Sequence, residues 1–236
     1  MNEHIVKSFD SELETLGRQI AEMGGIAEKM LSDAVDALTE LNVTLAQRVV
    51  ETDPRLDLLQ RQIEESAVSI IARRQPMAVD LRAIVAAIRV SGDLERIGDL
   101  AKNIAKRTMK IANDNGIRMP GALVGLRHMA ELAAILLKDV LDAYAARDTV
   151  AARAVWERDA EIDALENSIF RDLLTFMMED PRNITLCTHL LFCSKNIERI
   201  GDHCTNIAET VFYLVTGDTL PMDRPKGTPN APLQAG

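Results

Sequence analysis

The stretch Glu95-Arg96-Ile97-Gly98-Asp99-Leu100-Ala101-Lys102-Asn103-Ile104-Ala105 returns as Glu198-Arg199-Ile200-Gly201-Asp202-His203-Cys204-Thr205-Asn206-Ile207-Ala208. The offset from Glu95 to Glu198 is 103 residues, close to half of the 236-residue chain. Similarity at that period marks a molecule built from two copies of one unit. Within the string, Glu95 and Asp99 are four apart, as are Glu198 and Asp202. On a helix that spacing stacks two carboxylates on one face, and like charges there repel. Their repetition predicts a positive partner, and a cation is the first candidate.

Working outward, a second set of matches runs at an offset of 106. Leu31, Asp33, Asp36 and Ala37 meet Leu137, Asp139, Asp142 and Ala143. Ala46, Val49, Glu51, Asp53, Asp57 and Ile63 meet Ala152, Val155, Glu157, Asp159, Asp163 and Ile169. The drop from 106 to 103 makes the second copy three residues shorter. A loop near Pro181 is the natural place for the loss. Ile84, Ile88, Ser91, Leu94 and Ile97 advance by three or four, as do Leu186, Leu190, Cys193 and Ile197, which is helical periodicity.

Asn42 and Asp148 read as N-caps of each copy's second helix, and Pro76 and Pro181 suit the first turn of the third. The pattern predicts helices over roughly 3–41, 43–74, 77–113, 120–146, 149–179 and 182–216, with no strand. The fold class is therefore all-α: two tandem, similar three-helix bundles over residues 1–114 and 119–217. The inter-repeat turn falls around Asn113–Gly121. Residues 218–236, with Pro221, Pro225, Pro229 and Pro232, read as a disordered tail. Pro54 lies inside the second predicted helix, where proline removes a backbone bond. The expectation is a bend, or a new segment, at that point.

Composition excludes several classes. Aromatics are 3% against 47% hydrophobic residues, so the core must be aliphatic, as in helix bundles. A net charge of −9 argues against nucleic acid, which needs a basic footprint. Arg89, His128 and Lys138 interrupt the most apolar stretches, so no membrane insertion is expected. Residues 1–7 show no signal-peptide pattern, and three cysteines confined to one segment predict a reduced, cytoplasmic location. Cys187, Cys193 and Cys204 lack zinc or redox spacing and read as core thiols, with Trp156 and Met177-Met178 as packing.

The two alignments yield four acidic pairs: Asp53/Asp57, Glu95/Asp99, Asp159/Asp163 and Glu198/Asp202. If each copy's second and third helices pack antiparallel, its two pairs meet as a four-carboxylate set suited to Mg, Mn, Ca, Fe or Zn. The alternative is an ion-pair network answered by Arg55, Arg96, Arg158 and Arg199. Arg96 points about 100° away from Glu95 and is not expected to neutralise it. Gly98 and Gly201, costly in mid-helix, predict a close approach by a neighbouring group. Asn103 and Asn206 are candidate hydrogen-bond supports for Asp99 and Asp202. A di-iron oxidase needs Glu-x-x-His pairs, and no glutamate here has histidine three residues on. No nucleophile–base constellation is apparent, so no catalysis is expected.

The paired Glu-Arg-Ile-Gly-Asp-x-x-x-Asn-Ile-Ala strings and the upstream Asp-x-x-x-Asp pairs resemble the PhoU family of bacterial phosphate-signalling regulators. The resemblance covers residues 5–216. It implies two side-by-side three-helix bundles with multinuclear metal clusters, whose ligands would be Asp53, Asp57, Glu95 and Asp99, then Asp159, Asp163, Glu198 and Asp202. Zinc, iron, manganese and magnesium all suit the family. It also implies negative regulation of the phosphate-starvation response and restraint of phosphate uptake. The implied partners are the ATP-binding subunit of a Pst-type phosphate ABC transporter and a phosphate-sensing histidine kinase, with a homodimer plausible. A metal-binding helical adaptor with an unrelated partner is the alternative.

Overall fold

A computed structural model describes residues 2–113 and 120–220. The elements are α1 (Asn2–Glu40), α2 (Val43–Arg74), α3 (Val79–Asn113), α4 (Pro120–Ala146), α5 (Thr149–Glu179), a 3-10 turn (Pro181–Asn183) and α6 (Ile184–Thr216). Helices α1–α3 pack on one another, as do α4–α6, and the bundles join through α3 against α6 and α1 against α4. The expected inter-repeat turn at 114–119 and the tail beyond 220 lie outside the described residues.

The central helices α3 and α6 are apolar over a broad arc because each has neighbours on several sides. Leu94, Ile97, Ile104, Ile197, Ile200 and Ile207 are all fully buried. The repeated string thus sits mid-length on the two helices that hold the molecule together. The core is aliphatic, with Trp156 as a buried aromatic and all three cysteines within it. Burial pushes the Cys193 thiol up to about 12. Met177 packs against this core, whereas Met178 is exposed, contrary to the packing expectation.

Duplication extends to the turns. Leu41 and Arg147, aligned at the 106 offset, both adopt left-handed backbone, with φ of 52° and 53°. Each is followed by a cap whose N–H returns to the helix just ended: Asn42 to Ala37 O and Asp148 to Ala143 O, both at 2.9 Å. The same cap side chains accept from Leu45 N in one repeat and from Val150 N and Ala151 N in the other. Arg147 is exposed and sits in a conformation that favours glycine. Arg147→Gly is expected to stabilise by about 0.5–1 kcal/mol, as strain relief outweighs the added unfolded-state entropy. A urea melt of the variant beside the parent checks it.

One proline expectation is narrowed and another corrected. Helix α2 runs unbroken from Val43 to Arg74 with Pro54 inside it, so no new segment starts at the acidic pair. Pro76 lies outside α3, in the connection between Arg74 and Val79. Gln75, just before it, closes α2 as a left-handed cap at φ 50°, its N–H bonded to Ile71 O. Pro181 does begin a helical turn, though a 3-10 one, capped by the Asp180 carboxylate at 3.0 Å from Arg182 N. The three-residue shortening is here: residues 75–78 separate α2 from α3, whereas Asp180 alone separates α5 from its 3-10 turn.

Candidate functional site

In the first repeat, Asp53 and Asp57 on α2 face Glu95 and Asp99 on α3. Asp53 is 7% exposed. The cation that answers it comes from the chain itself. Lys102 Nζ lies 2.6 Å from Asp53 Oδ2 and also donates to Asp99 Oδ1. Lys102 is three residues beyond Asp99 on the same face of α3, with its side chain only 18% exposed. Arg96 completes the set, its Nε 3.5 Å from Glu95 Oε2 and its Nη1 3.6 Å from Asp99 Oδ2. Arg96 comes within reach of Glu95 because a long guanidinium arm folds back across the 100° between adjacent side chains, yet Glu95 is still held above its ordinary range. Arg55 and Arg158, read as further answers to the acids, pair with Glu22 on α1 and Asp139 on α4, at 2.6 and 2.7 Å.

The second repeat places Asp159 and Asp163 on α5 and Glu198 and Asp202 on α6, with different company. Lys195 Nζ lies 2.6 Å from Glu198 Oε1. Lys195 aligns with Gly92, and the position of Lys102 is taken by Thr205, whose hydroxyl donates 2.7 Å to the backbone oxygen of Asp202. Asp159 is buried against α6, where a Cβ on Gly201 would strike its Oδ1. In the first repeat, a Cβ on Gly98 would strike Leu56 instead. The close approach read from the glycines is therefore real in both copies, by a hydrocarbon in one and a carboxylate in the other.

Burial first, then neighbouring charge, holds three carboxyls above their ordinary range: Glu95 beside Asp99, Glu166 beside Glu198 and Asp163, and Asp202 beside Glu198 and Asp163. A raised carboxyl favours folding fully only below its ordinary value, 3.8 for Asp202, and that contribution is lost as pH rises through the folded pKa. At neutral pH Asp202 thus works against folding. Asp202→Asn is expected to raise the urea midpoint at neutral pH in chelator. Its advantage over the parent should shrink as pH falls toward 3.8. Parallel curves at all pH values would contradict the assignment.

The chemistry of both donor sets suits a hard cation. In the second repeat Glu198 Oε2 is buried and accepts no hydrogen bond among the described residues, as an ion-binding oxygen would. Convergence is another matter. Among the described residues no three His, Cys, Asp or Glu side chains come close enough to hold an ion. In the first repeat, moreover, an ammonium holds two of the four acids. The first set, as folded, does not fit a metal centre.

Between the repeats, Asp93 on α3 lies 2.9 Å from His203 Nδ1 and accepts from Asn206 Nδ2 at 3.3 Å. Asn206, read as a support for Asp202, thus reaches across to the other bundle; Asn103 is exposed. His203 is tied to a carboxylate. Arg89 stacks 5.0 Å from the Tyr213 ring and Arg107 4.0 Å from that of Phe192, joining the same two helices. Sequence comparison missed Asp93, Lys102 and Lys195 because none has an equivalent in the other copy. The signal available for Lys102 was its three-residue spacing from Asp99.

With this geometry in view, the model of the PhoU domain matches residues 20–108 and again 126–211. The chain belongs to the PhoU family. It is 57% identical over 224 residues to the phosphate-specific transport system accessory protein PhoU homolog of Rhizobium meliloti, covering 94% of this chain and 93% of that one. The homolog of Caulobacter vibrioides is 50% identical over 226 residues, covering 96% and 97%. Among solved structures, PhoU from Pseudomonas aeruginosa superposes with a TM-score of 0.85 at 40% identity, over 89% of this chain and all of that one. The phosphate transport system regulatory protein PhoU from Streptococcus pneumoniae gives 0.83 at 26%, over 91% of this chain. Each matched PhoU segment contains one complete acidic set, so the differences around Lys102 and Thr205 lie within the family's own domain.

Proposed function

We propose that this PhoU-family chain is an accessory protein of a phosphate-specific transport system. It acts as a negative regulator of the phosphate-starvation response and a brake on phosphate uptake. The observation that carries the reading is the pair of PhoU domains, with full-length relatives that bear that name. The work is done by contact. An acidic helical surface docks on the ATP-binding subunit of the transporter and on its sensor histidine kinase, keeping the kinase quiet when phosphate is ample. Among the described residues no helix is long and apolar enough to cross a membrane. In this reading, attachment at the cytoplasmic face runs through those partners.

A strain lacking the chain, grown with ample phosphate, is expected to express phosphate-starvation genes constitutively. Expression should return to the repressed level when the intact gene is restored. Normal repression in the deletion strain would remove the regulatory reading.

A further inference from the structure

We propose that the Lys102 ammonium is itself the cation of the first repeat's acidic set, so that this half of the molecule takes up no divalent ion. Lys102 Nζ is 2.6 Å from Asp53 Oδ2 and bonded also to Asp99 Oδ1, from opposite sides of the α2–α3 seam. An ion shared by those two carboxylates would need the position the ammonium holds. The lysine cannot easily vacate it, because Asp53 is 7% exposed and would lose its partner in a dry setting. Arg96 Nε lies 3.5 Å from Glu95 Oε2 and its Nη1 3.6 Å from Asp99 Oδ2, adding a second positive charge beside the set.

The other repeat shows that the ammonium is a local addition. The eleven-residue strings keep Glu, Arg, Ile, Gly, Asp, Asn, Ile and Ala in register, yet threonine stands at position 205 where 102 is lysine. Thr205 turns its hydroxyl to the backbone of its own helix, so no ammonium reaches the second set from that position. The two repeats are thus one scaffold with the ammonium placed differently: Lys102 bridges Asp53 and Asp99 across two helices, whereas Lys195 pairs with Glu198 on its own helix. The inference is independent of the regulatory reading, since it concerns ion uptake by the purified chain.

The test is equilibrium dialysis of the full chain against Mn²⁺, with bound metal measured by elemental analysis. The variants are Asp53→Asn/Asp99→Asn, Lys102→Thr, Lys102→Gln and Lys102→Thr/Asp53→Asn. Parent and Asp53→Asn/Asp99→Asn are expected to hold equal manganese, whatever the second repeat contributes. Lys102→Thr is expected to gain about one ion per chain over the parent, since it removes a unit positive charge beside the ion. Adding Asp53→Asn should abolish the gain. Lys102→Gln keeps a hydrogen-bond donor without the charge, and gives the same comparison should the threonine variant fail to fold. The melting temperature offers a second readout: Mn²⁺ should raise that of the Lys102 variants by more than it raises the parent's. The proposal is overturned if Asp53→Asn/Asp99→Asn binds less manganese than the parent, or if the folded Lys102 variants bind no more than it does.

Discussion

Ile97→Ala and Ile200→Ala are each expected to lower the unfolding free energy by about 2–5 kcal/mol, the range for removing a fully buried isoleucine to alanine. Both side chains are fully buried, at the third position of the repeated string. Close-packed helices relax little around the cavity, so lost dispersion adds to the transfer term. The two variants should lose similar amounts, because the same position faces the core in both copies. A single transition is expected by far-UV circular dichroism in urea, since α3 packs on α6 and α1 on α4. A loss under about 1 kcal/mol at either position would mean that its bundle adds little to the cooperative unit.

The other large effect reverses the usual sign of mutation. Pro54→Ala is expected to stabilise by about 1–3 kcal/mol, proline being about 3 kcal/mol worse than alanine inside a helix. Pro54 is exposed, so the exchange sacrifices no core contact, and it lets residue 54 donate to the carbonyl of Val50 four residues back. Ala160 already occupies the equivalent position in α5. The reciprocal Ala160→Pro should cost about 3 kcal/mol or more. Urea melts of both variants check the pair. A destabilising Pro54→Ala would show that α2 is shaped around the proline at its acidic pair.

The helices were legible because their signals are local and doubled. Asn42 and Asp148 are good caps on their own, and their agreement at one offset removes ambiguity in either. The same doubling hid part of the site. Comparison of copies keeps what matches, and Lys102, aligned with Thr205, was discarded although it answers Asp53 and Asp99. The pairing of Arg55 with Glu22 depends on α1 lying beside α2, which the spacing of acids on α2 does not encode. The contact of Arg96 with Glu95 is not legible from spacing, because the direction of a Cβ constrains a short side chain far more than a guanidinium on a flexible stem. The starts of α3 and α6 differ because a three-residue shortening leaves Asp180 alone before the Pro181 turn, against residues 75–78 in the first copy.

The link from Asp93 to His203 and Asn206 carries a last consequence. In the other copy the residues aligned with Asp93 and His203 are Asn196 and Leu100, which can form no such hydrogen bond. Two identical first halves, joined in tandem, would set Asp93 opposite leucine and asparagine, and two second halves would set Asn196 opposite histidine, so neither pairing repeats the Asp93–His203 contact. The duplicated units are therefore not interchangeable parts: each supplies one side of a lock that its sister does not carry.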